Sequence, residues 1–146
     1  MQSLPHTYTA AAYGHPAGVI PISSKDLDPI KTQAPPEFGG PDGFWSPETL
    51  LTAIVANCLI LTFRAVSRAA RFDWEDLDVK VDGTLEKTPE GLRFTEFFIK
   101  AELTIEDEAE ATQAETLLLK AKQQCLLTAS LNGEVSLDTK IRTAVA

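Results

Sequence analysis

Apolar and polar residues alternate through the middle of the chain. Leu77, Val79, Val81 and Leu85 are interleaved with Asp76, Asp78, Lys80, Asp82 and Glu86, the period of a strand with one buried face. Thr88-Pro89-Glu90-Gly91 supplies turn chemistry with proline in the second position. Beyond it, Phe97, Ile99, Ala101, Leu103 and Ile105 fall on one face, and Glu96, Lys100 and Glu102 on the other. The two runs predict a β-hairpin.

Residues 46–70 follow a different pattern. Ser46-Pro47 is a helix start, with a hydroxyl at the N-cap and a proline where a missing N–H costs nothing. The run from Leu50 to Leu61 is apolar on every side rather than along one stripe, so a helix built from it has to be enclosed all round. Arg64, Arg68 and Arg71 share one face near its C-terminal end and read as solvated cations favoured by the helix dipole. At 14 residues, interrupted by Thr52, Asn57 and Thr62, the run from Leu50 to Phe63 falls short of the roughly 20 residues of a membrane span. It reads as a buried helix.

The flanks are less regular. Residues 7–12 and 18–23 read as strands around the turn Tyr13-Gly14-His15-Pro16. Between residues 25 and 45, Pro29, Pro35, Pro36, Gly39, Gly40, Pro41 and Gly43 predict no regular structure, leaving Phe38, Phe44 and Trp45 as loop aromatics that something has to cover. A second helix is expected over residues 109–124, after Glu106-Asp107-Glu108 and before Lys120 and Lys122, the charge order the macrodipole favours. Cys125 stands where it ends or where a short helix over residues 126–131 begins. Asn132-Gly133 marks a turn, and Val135, Leu137, Thr139 and Ile141 a last strand. Helices and strands do not alternate regularly, which predicts an α+β fold in one domain over residues 1–146.

Composition narrows the function. The formal charge of −8 repels phosphate backbones and anionic lipid surfaces, so neither nucleic acid nor membrane is expected as a partner. The first residues show neither a basic segment nor an apolar one of the secretory kind, which leaves the cytoplasm as the expected location. Nucleotide-binding glycine motifs, the zinc-protease motif and the nucleophile elbow are all missing. Two histidines, His6 and His15, and two cysteines 67 residues apart do not make a zinc site. What remains is the two thiols, Cys58 and Cys125. Either they are small buried hydrophobes, or they act together, one attacking a peroxide O–O bond and the other condensing with the sulfenic acid to give a disulfide.

Pro36-Glu37-Phe38-Gly39-Gly40, then Ser46-Pro47-Glu48-Thr49-Leu50-Leu51-Thr52-Ala53 leading to Asn57-Cys58, resembles the signature of the OsmC/Ohr family, the osmotically inducible and organic-hydroperoxide-resistance proteins. Cys125, late in the second helix and ahead of a final strand, is similar in placement to that family's second cysteine. The resemblance covers residues 38–141 and implies an OsmC-like α+β fold, a long central helix wrapped by antiparallel sheets in an intertwined homodimer. Such a dimer would enclose the apolar helix. The resemblance further implies an organic hydroperoxide reductase with no cofactor or metal. Cys58 would be its peroxidatic thiol, Cys125 its resolving thiol and a dithiol, such as a lipoylated protein, its reductant.

Glu48 matches the carboxylate that in this family orients a thiolate-stabilising arginine. Ten residues of helix, about 15 Å, separate it from Cys58, so either a bridging cation or the partner subunit's thiol connects the two, or Glu48 is an acid that interacts with the helix dipole in the first turn. Phe38, Phe44 and Trp45 would form an apolar pocket suited to a lipid-like hydroperoxide. The chain departs from the pattern in two places. It has no arginine before Arg64, and Leu126 stands where a proline commonly follows the second cysteine. A thiol without a nearby cation is a weaker nucleophile, which implies weakened peroxidase activity. The alternative is a non-catalytic dimer of the same fold that binds a small hydrophobic ligand.

Overall fold

The proline- and glycine-rich N-terminal segment holds more regular structure than its composition predicts. The expected hairpin is present but short: β1 (Ala11–Ala12) pairs antiparallel with β2 (Ile20–Ser23). A third strand, β3 (Ile30–Thr32), then pairs antiparallel with β2, inside a stretch expected to be irregular. Pro29 and Pro35 flank this strand rather than interrupt it, so none of its ladder donors is lost. The Thr32 hydroxyl donates to the Ile20 carbonyl at 2.7 Å, and Thr32 bridges to Trp45. A 3-10 turn at Pro36–Phe38 ends in Gly39, with Gly40 folded so tightly onto Ala34 that an added Cβ would lie 1.8 Å from its carbonyl oxygen.

The structure, a computed structural model, describes residues 1–144. It divides into two compact units, one ending at Leu51 and the other starting at Thr52. The N-terminal unit holds the β1-β2-β3 sheet and the start of α1 (Pro47–Ala69). Ser46 and Thr49 cap this helix reciprocally: the Thr49 N–H donates to Ser46 Oγ at 3.1 Å and the Ser46 N–H to Thr49 Oγ1 at 2.9 Å.

The C-terminal unit is built on the predicted hairpin, β4 (Asp76–Thr88) and β5 (Gly91–Ile105), paired antiparallel with a register shift at Thr84/Leu85. Phe97, Ile99, Ala101, Leu103 and Ile105 are all buried, the face the alternation assigned to the core. A short 3-10 turn leads into α2 (Ala111–Gln124), and β6 (Glu134–Thr143) closes the sheet in the order β4-β5-β6. The expectation of antiparallel sheets fails at one edge, because β6 pairs parallel to β5. A parallel partner needs a long crossover, and α2 provides it. Ala114, Leu117, Leu118 and Ala121 of α2 are buried.

α1 buries Val55, Cys58, Leu59, Phe63, Val66 and Ser67. At its C-terminal end Phe63 meets Trp74 edge-on at 5.2 Å, and the Trp74 indole N–H donates to Ser67 Oγ. Farther up the helix, an added Cβ on Gly83 of β4 would lie 2.9 Å from Thr52 Oγ1, so this glycine admits the helix to the sheet. Ile54 and Leu61 remain 42% and 55% exposed. With 23 residues, α1 is long and apolar enough to cross a bilayer by length and composition only, a test that the core helix of a folded protein passes as well.

Candidate functional site

Cys58 lies in the middle of α1, where the helical ladder uses its backbone groups. The Thr62 hydroxyl, one turn on, donates to the Cys58 carbonyl at 2.8 Å and stands 3.8 Å from its sulfur. Cys125 is the first residue beyond α2, with φ −66° and ψ 108°, so the chain turns out of the helix at this residue. The short helix expected over residues 126–131 is a 3-10 turn at Thr128–Ser130. It curls back over Cys125, whose carbonyl accepts from the Thr128 hydroxyl at 3.0 Å and the Ala129 N–H at 3.2 Å.

These two elements bring the thiols together. The sulfurs of Cys58 and Cys125 stand 2.6 Å apart, both thiols free and both buried. Residues 67 apart in sequence are thereby brought within reach of the S–S bond length of a disulfide.

The sulfurs share one hydrogen bond and titrate as a pair. Burial pushes the Cys58 thiol up, and its hydrogen bond to Cys125 holds the proton further, against the Leu127 backbone and the Thr62 hydroxyl, which lower it. Burial acts upward on Cys125 as well. There it is outweighed by the hydrogen bond from Cys58, the backbone and hydroxyl of Thr128 and the backbone of Leu127, so this thiol lies below its ordinary range. With both protons present the shared bond runs from Cys125 to Cys58.

The remaining expected site residues belong to the N-terminal unit. Glu48 is half-buried in the first turn of α1. Phe38, Phe44 and Trp45 are 55%, 39% and 50% exposed. Sequence reasoning missed Leu127 and Thr128, which act on the sulfurs through a turn formed only in the fold. Thr62 was legible, as a hydroxyl one helical turn from a cysteine.

A family model described as OsmC-like protein matches residues 40–140. The chain belongs to the OsmC-like protein family. It is 26% identical over 98 residues to Peroxiredoxin OsmC of Escherichia coli (strain K12), an alignment covering 67% of this chain and 68% of that one. The fold is similar to the crystal structure of an organic hydroperoxide resistance protein OsmC from Legionella pneumophila. The TM-score is 0.75 at 26% identity, over 96% of this chain and 99% of that one. An OsmC-like protein of unknown function from Vibrio cholerae superposes with a TM-score of 0.82 at 16% identity, over 92% and 99% of the two chains. Membership of the OsmC-like family and the mixed α+β architecture thus agree with the resemblance read from Ser46 to Cys58.

Proposed function

We propose that this protein is a thiol-dependent peroxidase that reduces organic hydroperoxides through a Cys58–Cys125 cycle. The observation that carries the reading is the 2.6 Å separation of two buried, free sulfurs. The Peroxiredoxin OsmC and organic hydroperoxide resistance names of its relatives support it. Cys58, the thiol the family resemblance makes peroxidatic, attacks the distal oxygen of the hydroperoxide as thiolate. The O–O bond breaks, the alcohol leaves with a proton, and Cys58 becomes a sulfenic acid. The Cys125 thiolate then attacks the sulfenic sulfur, forming the disulfide and releasing water once a proton is taken up. A dithiol returns the two electrons.

The family match runs across the division between the two compact units, which supports a single OsmC-like domain. The exposed Ile54 and Leu61 of α1 support a homodimer that covers this helix, and the family resemblance adds Glu48 as a supporting carboxylate and Phe38, Phe44 and Trp45 as an apolar pocket for the hydroperoxide. A cytoplasmic location, where dithiol reductants are abundant, fits the cycle. One observation favours a second reading, a non-catalytic dimer that binds a small hydrophobic ligand: burial raises the Cys58 thiol, and a protonated thiol is a poor nucleophile.

Consumption of tert-butyl hydroperoxide with dihydrolipoic acid separates the two. Wild type is expected to consume it, and Cys58→Ser to fall to the level of the protein-free control. Equal rates for wild type and Cys58→Ser would remove Cys58 from the mechanism and leave the ligand-binding reading.

A further inference from the structure

Two thiols held side by side make a chelate as well as a redox couple. The sulfurs of Cys58 and Cys125 stand 2.6 Å apart, both thiols free and both buried. They reach this position from separate elements, Cys58 from the middle of α1 and Cys125 from the residue that ends α2, so the fold has already closed the 67-residue loop between them. Third donors are lacking. Among the described residues no group of three or more His, Cys, Asp or Glu is placed to hold a metal ion, and the hydroxyls of Thr62 and Thr128 donate to the carbonyls of Cys58 and Cys125. Zinc, which takes four ligands, is poorly served by two sulfurs.

We propose that Cys58 and Cys125 together chelate a monosubstituted trivalent arsenical, a soft pyramidal centre that needs two sulfurs and carries its third bond, to carbon, with it. Thiolate sulfur suits a soft centre, and geometry selects among soft centres. With a metal–thiolate bond of about 2.3 Å as the scale, two sulfurs bonded at a right angle lie about 3.3 Å apart and two bonded in line about 4.6 Å. A pyramidal centre therefore asks the pair to open by less than an ångström, whereas a linear one would force α1 and the turn after α2 apart against close packing. In the step both As–S bonds form, the As=O bond of the arsine oxide breaks, and its oxygen takes the two thiol protons and leaves as water. Neither sulfur nor arsenic changes oxidation state. Cys58, 7% exposed against 2% for Cys125, is the sulfur an entering arsenic meets first. Chelation uses the reduced pair and no hydroperoxide, so it stands apart from the cycle above.

The experiment mixes reduced full-length protein with an equimolar amount of phenylarsine oxide and desalts it. Intact-mass spectrometry is expected to show one phenylarsenic group per chain with two hydrogens lost. The dithiol 2,3-dimercaptopropanol is expected to strip it. The monothiol 2-mercaptoethanol is expected to do so only at about a hundredfold higher concentration than it needs with Cys58→Ser or Cys125→Ser, because the second As–S bond forms within one molecule. Release from wild type and from the single-cysteine variants at the same 2-mercaptoethanol concentration would overturn the proposal.

A flexible chain with two cysteines also binds an arsenical, so stability supplies the arm that is specific to this fold. An unfolded chain has to close the loop before its second sulfur bonds, and a group that binds the folded state more tightly stabilises it. Phenylarsine oxide is therefore expected to raise the thermal midpoint of reduced wild type by several degrees and to leave that of Cys58→Ser where it is. An unchanged or lowered midpoint in wild type would mean that the sulfurs are not placed for a pyramidal centre. Zinc retained through the same desalting would overturn the proposal as well, since it would reveal further donors at the pair. Absence of peroxidase activity in a protein that chelates the arsenical as expected would instead count against the proposed function alone.

Discussion

At 2.6 Å, two thiols compete for one proton. Cys125 ionises below the ordinary value of 9.0 and Cys58 above it, and linkage turns these directions into a stability profile. Between the lowered value of Cys125 and 9.0, the unfolded chain binds more protons than the folded one, so stability rises with pH. Above 9.0 the folded chain keeps the Cys58 proton that the unfolded chain has lost, and stability falls as pH rises through the raised value. Urea unfolding of the reduced protein minus that of its disulfide form, which has no thiol to titrate, is therefore expected to peak near pH 9. A flat difference across that range would mean that the sulfurs do not share a proton in solution.

The element scale decides which parts of the fold are legible. The β4/β5 hairpin is written in alternation, because one buried face requires a period of two, and α1 is announced by Ser46-Pro47 and confirmed by the Ser46–Thr49 cap. β3 was hidden by its prolines, since composition registers Pro29 and Pro35 without showing that they bracket three paired residues. The parallel placement of β6 has no local signal, because it depends on where α2 delivers the chain. The site divides in the same way. Both cysteines stand out in the sequence, whereas their separation and the donors at Leu127 and Thr128 are tertiary. Gly83 belongs with these, since no turn requires a glycine there and the close approach of Thr52 of α1 and of the Phe94 and Phe97 rings explains it. In Gly83→Ala the new Cβ would meet Thr52 Oγ1 at 2.9 Å and the rings of Phe94 and Phe97 at 3.2 and 3.3 Å, a close-packed setting in which added volume costs about 1–3 kcal/mol. Urea denaturation of the reduced protein is expected to show that loss, and an unchanged midpoint would mean that α1 does not press on β4 at this point.

For the whole molecule, the open question is what covers α1. Its apolar residues surround the helix, and those facing the C-terminal unit, Val55, Leu59, Phe63 and Val66, are buried while Ile54 and Leu61 are not. Seven residues apart, these two lie on one face, two turns from each other. Leaving such a face in water forfeits about 25 cal/mol for every Å² of apolar area, whereas a second copy of the same helix offers a surface of matching chemistry and a closed, two-fold arrangement. Charge at the centre of such a contact is heavily penalised when it cannot be hydrated or paired. Leu61→Lys is therefore expected to lower the sedimenting mass from dimer to monomer, or to shift the dimer's dissociation into the range of protein concentrations tested. The same substitution would be harmless on a solvated face, since a 55% exposed position accepts lysine readily in a monomer. Wild type sedimenting as a monomer, or Leu61→Lys remaining a dimer of unchanged affinity, would mean that this helix face is not where two copies meet.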